Sequence, residues 1–174
     1  MKQKIFILLC TIGICISVHA KKYIVHSPDN KIKVSITADK QLIWSIDYNG
    51  ERILTPSAIQ MNIEGLKIQP GINPVVINAK VDKINAEQIA VVPVKQKTIR
   101  DQYTQLTLIC KGDYNIIFRV YNNGAAYRFE TVLKQSPIIV NSETVELNLM
   151  VAKHIGQEKK IKNILPIVKL FLMN

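Results

Sequence analysis

The residues between Tyr23 and Leu149 predict an all-β fold, an antiparallel β-sandwich followed by an irregular or helical C-terminal tail. Apolar and polar residues alternate in one short run after another, the period of a strand with one buried face. Turn-forming groups, Pro28-Asp29-Asn30, Asn49-Gly50, Gly112-Asp113 and Asn123-Gly124, recur between the runs. No segment of this region carries a helical period.

The first run, "KIKVSIT", sets Ile32, Val34 and Ile36 against Lys33, Ser35 and Thr37. "QLIWSIDY" follows, with Leu42, Trp44, Ile46 and Tyr48 on one face, and Asn49-Gly50 turns it back into "ERIL". Both turn residues tolerate the positive φ of a type I′ turn. "SAIQMNIE", "EQIAVVPVKQK" and "TQLTLICKG" continue the series. Residues 65–86 hold two prolines, two glycines and a weaker period, and read as a long connection with one short strand. "IIFRVYNNGAAYRFETVL" then reads as a hairpin. Ile116, Phe118 and Val120 share a face opposite Ile117, Arg119 and Tyr121, and Asn123-Gly124 is expected to form the type I′ turn before Tyr127 and Phe129. "ETVELNL" ends the series, with Val145, Leu147 and Leu149 alternating against Thr144, Glu146 and Asn148.

The two ends differ from this body. Lys2 and Lys4, an apolar run from Ile5 to Ile16 and the ending Val18-His19-Ala20 make a secretory leader over residues 1–20, with cleavage expected after Ala20. The run is too short to span a bilayer. Cys10 and Cys15 follow the bulky Leu9 and Ile14, which argues against lipidation. The expected destination is therefore the periplasm or the exterior. The body is one domain, residues 21–150. From residue 151 alternation stops. Ile161, Ile164, Leu165, Val168 and Leu172 have helical spacing, interrupted by Pro166. Such a divergent tail, residues 151–174, suits a slipped reading frame better than an amphipathic membrane-surface helix.

Charge and cysteines exclude several functions. Of the 23 Lys and Arg, two lie in the leader and five in the tail; one of the 13 acidic residues is in the tail. That leaves 16 against 12 in the body, mildly basic with the signs interspersed. A nucleic-acid binder would show a basic patch with interleaved aromatics, and none is present. Cys110 is the one cysteine of the body, in phase with Leu106 and Leu108, and reads as a buried thiol without disulfide or metal partners.

Catalytic material is sparse. His26 and His154 are isolated, and no zinc, phosphate or nucleophile-elbow motif occurs. Glu130, Glu143 and Glu146 are candidates because a carboxylate pair can hydrolyse a glycosidic bond. Each occupies a polar slot of a strand or turn, the position of an ordinary exposed carboxylate. Trp44 can stack on a sugar but sits between Leu42 and Ile46, a core position. Tyr121 and Tyr127 flank the hairpin turn as an aromatic platform or as cross-strand packing.

Four stretches in order, "HSPDNKIKVSI", "WSIDYNGERILTPSAIQMNIEG", "YTQLTLICKGDYNIIFRVYNNGAAYRFE" and "ETVELNL", resemble the N-terminal domain of glycoside hydrolase family 97 over about residues 23–149. The resemblance implies a galactose-mutarotase-like supersandwich, here incomplete, from a secreted bacterial α-glucosidase or α-galactosidase. In that family a (β/α)₈ barrel carries the catalytic carboxylates and most calcium ligands. The N-terminal domain adds rim and calcium-shell residues from a region with no counterpart in this chain. The resemblance therefore implies no catalytic, cofactor or metal residue here, calcium belonging to the full-length family. The expected function is a truncated, non-catalytic domain, inactive alone, whose carbohydrate partner is met through the missing barrel. A freestanding carbohydrate-binding sandwich is the alternative. Membrane association is expected only if the tail is a real amphipathic helix.

Overall fold

Alternating runs become sheet where each finds a neighbour of matching length. The computed structural model describes residues 20–89, 98–133 and 137–150. The leader up to residue 19, the tail from 151 and His154 lie outside them. Nine strands form among the described residues: β1 (Lys21–His26), β2 (Ile32–Ala38), β3 (Leu42–Tyr48), β4 (Glu51–Ile63), β5 (Val76–Ile89), β6 (Thr98–Cys110), β7 (Tyr114–Tyr121), β8 (Gly124–Thr131) and β9 (Val140–Val145). One sheet has the order β1-β2-β3-β4-β9 and the other β5-β6-β7-β8, every pairing antiparallel. This is the all-β sandwich that the alternation predicts.

The inward faces make the core. Ile32, Val34 and Ile36 of β2 and Leu42, Trp44 and Ile46 of β3 meet Leu106, Leu108, Ile116, Phe118 and Val120 of β6 and β7, each at most 2% exposed. β1 lies against β6, and β2 against β7 and β8. Each aliphatic side chain so buried contributes roughly 1.5–3 kcal/mol before the entropy of ordering it is charged.

Several elements differ from the sequence reading: β1 precedes the first run read as a strand, β9 ends at Val145 rather than continuing through Leu149, and three further differences bear on the packing. "ERIL" and "SAIQMNIE" are one strand, β4, running through Pro56. Pro56 is tolerated because the β3–β4 register slips there: Trp44 faces Ser57 while Ile46 faces Leu54, so Thr55 and Pro56 together span the length opposite Ser45. The bulge also explains why Leu54 and Ile59, an odd number of residues apart, are both fully buried. The second difference is β5, which occupies 14 residues and reduces the long connection to the segment between Ile63 and Val76. Val81 lies on the core face but is 55% exposed, so no buried face imposed a period on this strand.

The third difference is the β7–β8 hairpin. Tyr121 pairs with Gly124, so Asn122-Asn123 form the loop and Gly124 begins β8. Positive φ occurs at Asn49-Gly50 and at Gly112-Asp113, but not at Asn123 or Gly124. The Asn49-Gly50 turn therefore has the left-handed backbone expected of it and the Asn123-Gly124 pair does not. Instead the Asn122 carboxamide oxygen accepts a hydrogen bond from the Asp29 N–H at 3.1 Å, tying this loop to the turn between β1 and β2.

Backbone approach is closest at Gly71, in the β4–β5 connection. Its carbonyl accepts the Leu42 N–H, and the Pro70 carbonyl accepts the Met61 N–H, both at 2.9 Å. With φ +86, a Cβ at Gly71 would press on the Ile59 carbonyl oxygen and lie 2.8 Å from Gln60 Cα. At Gly50, φ +84, a Cβ would meet nothing within 4 Å. Gly71→Ala is expected to cost at least about 2 kcal/mol more than Gly50→Ala, since only the former adds a backbone clash to left-handed strain. Urea unfolding of the two variants measures the difference, and equal losses would refute the close approach.

Candidate functional site

The three candidate carboxylates are each committed to a separate partner. Glu130 of β8 accepts the Asn115 amide and the Arg128 guanidinium, both at 3.1 Å. Glu143 of β9 accepts the Tyr127 hydroxyl at 2.8 Å, a bond that crosses from one sheet to the other. Glu146 accepts the Ala58 N–H at 3.2 Å, while its own N–H donates to the Ala58 carbonyl at 2.9 Å. Glu130 and Glu143 thus belong to different sheets and are held by different partners.

The aromatic candidates are packing residues. Trp44 is 1% exposed, and Tyr127 packs edge-on against it with ring centroids 5.5 Å apart. Tyr127 pairs with Phe118 on the inward face, whereas Tyr121 pairs with Tyr103 on the outward one. The two tyrosines therefore form no common platform. Tyr121 packs tilted against Tyr103 with ring centroids 5.0 Å apart, and Tyr103 also receives the Arg119 guanidinium 4.7 Å from its ring centre. Burial, then the hydrogen bond and charge of Glu143, push the Tyr127 phenol far above the ordinary tyrosine range. Cys110 is buried among core side chains, and desolvation pushes its thiol up to about 11, offset slightly by Tyr114. Such a thiol is a poor nucleophile at neutral pH. His26 ends β1, exposed, opposite Lys33.

The sequence reading passed over Asp47, which the register makes a centre of charge. Lys33, Asp47 and Arg52 are direct neighbours across β2, β3 and β4 on the outward face. Lys33 Nζ lies 2.8 Å from Asp47 Oδ2, and Arg52 Nε donates to Oδ1. Asp47 is only 6% exposed. Burial raises its pKa, but hydrogen bonds and charge from Lys33 and Arg52 outweigh this and hold the carboxyl below its ordinary value. The signal available in sequence was Asp47 at a polar position of β3 beside two cations, legible only once the register is known.

A cavity of about 570 Å³ opens between the β2–β3 turn, Ala38–Lys40, and Asn73–Val76, with Lys21 on its rim. Asp39 is its one carboxylate among the described residues. Calcium, which the resembled family uses, needs six to eight convergent oxygen ligands. No group of three His, Cys, Asp or Glu side chains could hold a metal among the described residues, so these side chains supply no cluster that fits the ion.

Residues 25–158 match the family described as Glycosyl-hydrolase 97 N-terminal. The retaining alpha-galactosidase of Bacteroides thetaiotaomicron is 35% identical over 133 residues, covering 74% of this chain and 19% of that protein. A glycoside hydrolase family 97 enzyme from Pseudoalteromonas sp. strain K8, solved with acarbose, has the same fold with a TM-score of 0.63 at 20% identity, over 74% of this chain and 20% of its own. A beta-arabinopyranosidase structure matches with a TM-score of 0.57 at 23% identity, over 70% and 20%. The chain spans about a fifth of the length of each of these relatives.

Two substitutions read out the polar contacts. Tyr127→Phe is expected to lower stability by about 1 kcal/mol, and in a double-mutant cycle with Glu143→Gln the losses should be less than additive. Asp47→Asn is expected to cost about 1–2 kcal/mol at neutral pH. Because the folded pKa of Asp47 is depressed, its contribution is present above the unfolded value near about 4 and disappears as pH falls through the folded one. Unfolding midpoints of the wild type should therefore fall more steeply below about pH 5 than those of Asp47→Asn. Parallel pH profiles would contradict the depressed pKa.

Proposed function

The chain belongs to the glycosyl-hydrolase 97 N-terminal family, and we propose that it is the non-catalytic sandwich of an exported glycoside hydrolase acting on α-glucosides or α-galactosides, inactive by itself. The observation that carries this reading is the engagement of its carboxylates. Glu130, Glu143 and Glu146 serve three separate structural contacts, and Asp47 is neutralised by Lys33 and Arg52. A glycosidase needs two carboxyls about 5–10 Å apart facing one sugar, one of them free to donate a proton. The acid and the nucleophile or base of such a reaction are assigned to the remaining four-fifths of a relative's length, as is any calcium. The substrate class follows the retaining alpha-galactosidase of Bacteroides thetaiotaomicron and the sequence resemblance.

The leader-like residues 1–20 support export, with the mature chain beginning at Lys21. The sandwich would then act as a rigid support on which the catalytic part is built, a role suited to a body whose polar residues are spent on cross-strand and inter-sheet contacts.

Assaying the purified chain on aryl α-galactosides and aryl α-glucosides tests the reading. Release of the aryl group is expected to stay at the uncatalysed rate. Turnover that persists through repurification and falls with Glu130→Gln or Glu143→Gln would overturn it. Specific retention on a galactan or starch column would instead favour a freestanding carbohydrate-binding module.

A further inference from the structure

The outermost strand of the four-stranded sheet, β5, carries a pattern that the proposed function does not use. Its described neighbour is β6 on one side only. The β5–β6 ladder continues to Ile89 opposite Thr98, whereas β7 pairs with β6 only from Tyr103 onward. Beyond Ile84 the two strands therefore form a ribbon without a third strand among the described residues. A two-stranded ribbon is marginal in water, and an open edge of this length is a template for another strand.

Val81, Lys83, Asn85, Glu87 and Ile89 share one face of β5, and all are exposed. Ile89 is 75% and Val81 55% exposed. The five are arranged symmetrically in kind about Asn85: apolar, cation, amide, anion, apolar. When two identical strands pair antiparallel about a two-fold axis normal to the sheet, residues equally distant from the axis face each other. With the axis at Asn85, Lys83 meets Glu87 of the second copy and Val81 meets its Ile89, each pair occurring twice. On the opposite face Ile84 meets Ala86. Sliding the register by two residues ruins the match, placing Val81 against Glu87 in one direction and Lys83 against Ile89 in the other.

We propose that β5 is a dimerisation edge, pairing with β5 of a second copy about a two-fold axis at Asn85 and joining two four-stranded sheets into one. Glu87 already lies 3.5 Å from Arg100 across the ladder. In the dimer this face carries the alternating row Arg100, Glu87, then Lys83 and Thr104 of the second copy. An edge lysine normally discourages strand pairing. Here it is compensated in a single register, so the edge rejects unrelated strands and accepts its own. The two exposed ribbons become one four-stranded ribbon, in which Val81 and Ile89 cover each other.

Sedimentation equilibrium of the protein tests this, with the single variants Lys83→Glu and Glu87→Lys. The wild type is expected to dimerise, and each single variant to do so at least about tenfold more weakly, because two attractive pairs become two repulsive ones. An equimolar mixture of the two variants restores complementarity at both sites and is expected to recover dimers of wild-type strength. All substituted side chains are exposed, and far-UV circular dichroism confirms that each variant is folded. A monomeric wild type at about 100 μM, single variants that dimerise undiminished, a mixture that stays monomeric, or larger assemblies indifferent to the substitutions would each overturn the proposal.

Discussion

The sandwich depends on one aromatic seam between its sheets. Trp44 of β3 reaches across to Phe118 of β7, with centroids 6.2 Å apart, and to Tyr127 of β8 at 5.5 Å, while Phe118 and Tyr127 lie 6.2 Å from each other. These tilted and edge-on arrangements match the positive edge of one ring to the negative face of the next. The Trp44 N–H has no hydrogen-bond partner among the described residues, so its ring acts through packing. The polar handle of the seam is supplied by Tyr127, whose hydroxyl donates to Glu143 of β9. Residues nearly a hundred positions apart are thereby fastened at one place, and β3, β7, β8 and β9 are positioned together.

That seam also engages side chains that the sequence offered for chemistry. Both residues that looked most suited to a sugar site, Trp44 and Tyr127, are consumed by it, and so is the carboxylate of Glu143. On the outward faces the remaining charged groups repeat the same economy. Asp47 is held between Lys33 and Arg52, and Glu130 between Asn115 and Arg128. At Asp47 the hydrogen bonds and charge of Lys33 and Arg52 stabilise the charged form, the opposite of what a general acid requires. The chain belongs to the glycosyl-hydrolase 97 N-terminal family and spans about a fifth of the length of its relatives.

Most of the fold was legible because burial on one face writes itself into alternation. β2, β3 and β7 were read correctly for that reason, as was Cys110 as a buried thiol. β5 was shortened to a fragment because its core-side face is uncovered and selects no apolar period. β4 was cut at Pro56 because a bulge is a property of two strands and cannot be seen in one. The two Asn-Gly pairs make the limit clear. At Asn49-Gly50 the local preference prevails, whereas at Asn123-Gly124 the Asn122 contact with Asp29 and the strand register move the loop by one residue. The polar slots of the three glutamates were legible in the sequence, but their partners, and the whole Asp47 cluster, required the register.

Trp44 is the single tryptophan of the chain, so its fluorescence reports directly on closure of the seam. A closed sandwich predicts emission well to the blue of free tryptophan and weak quenching by acrylamide. Both should be lost in one transition that coincides with the loss of far-UV circular dichroism. Emission at the solvent-exposed position in native buffer, or a fluorescence transition separated from the dichroism one, would mean that the two sheets do not close on each other around Trp44.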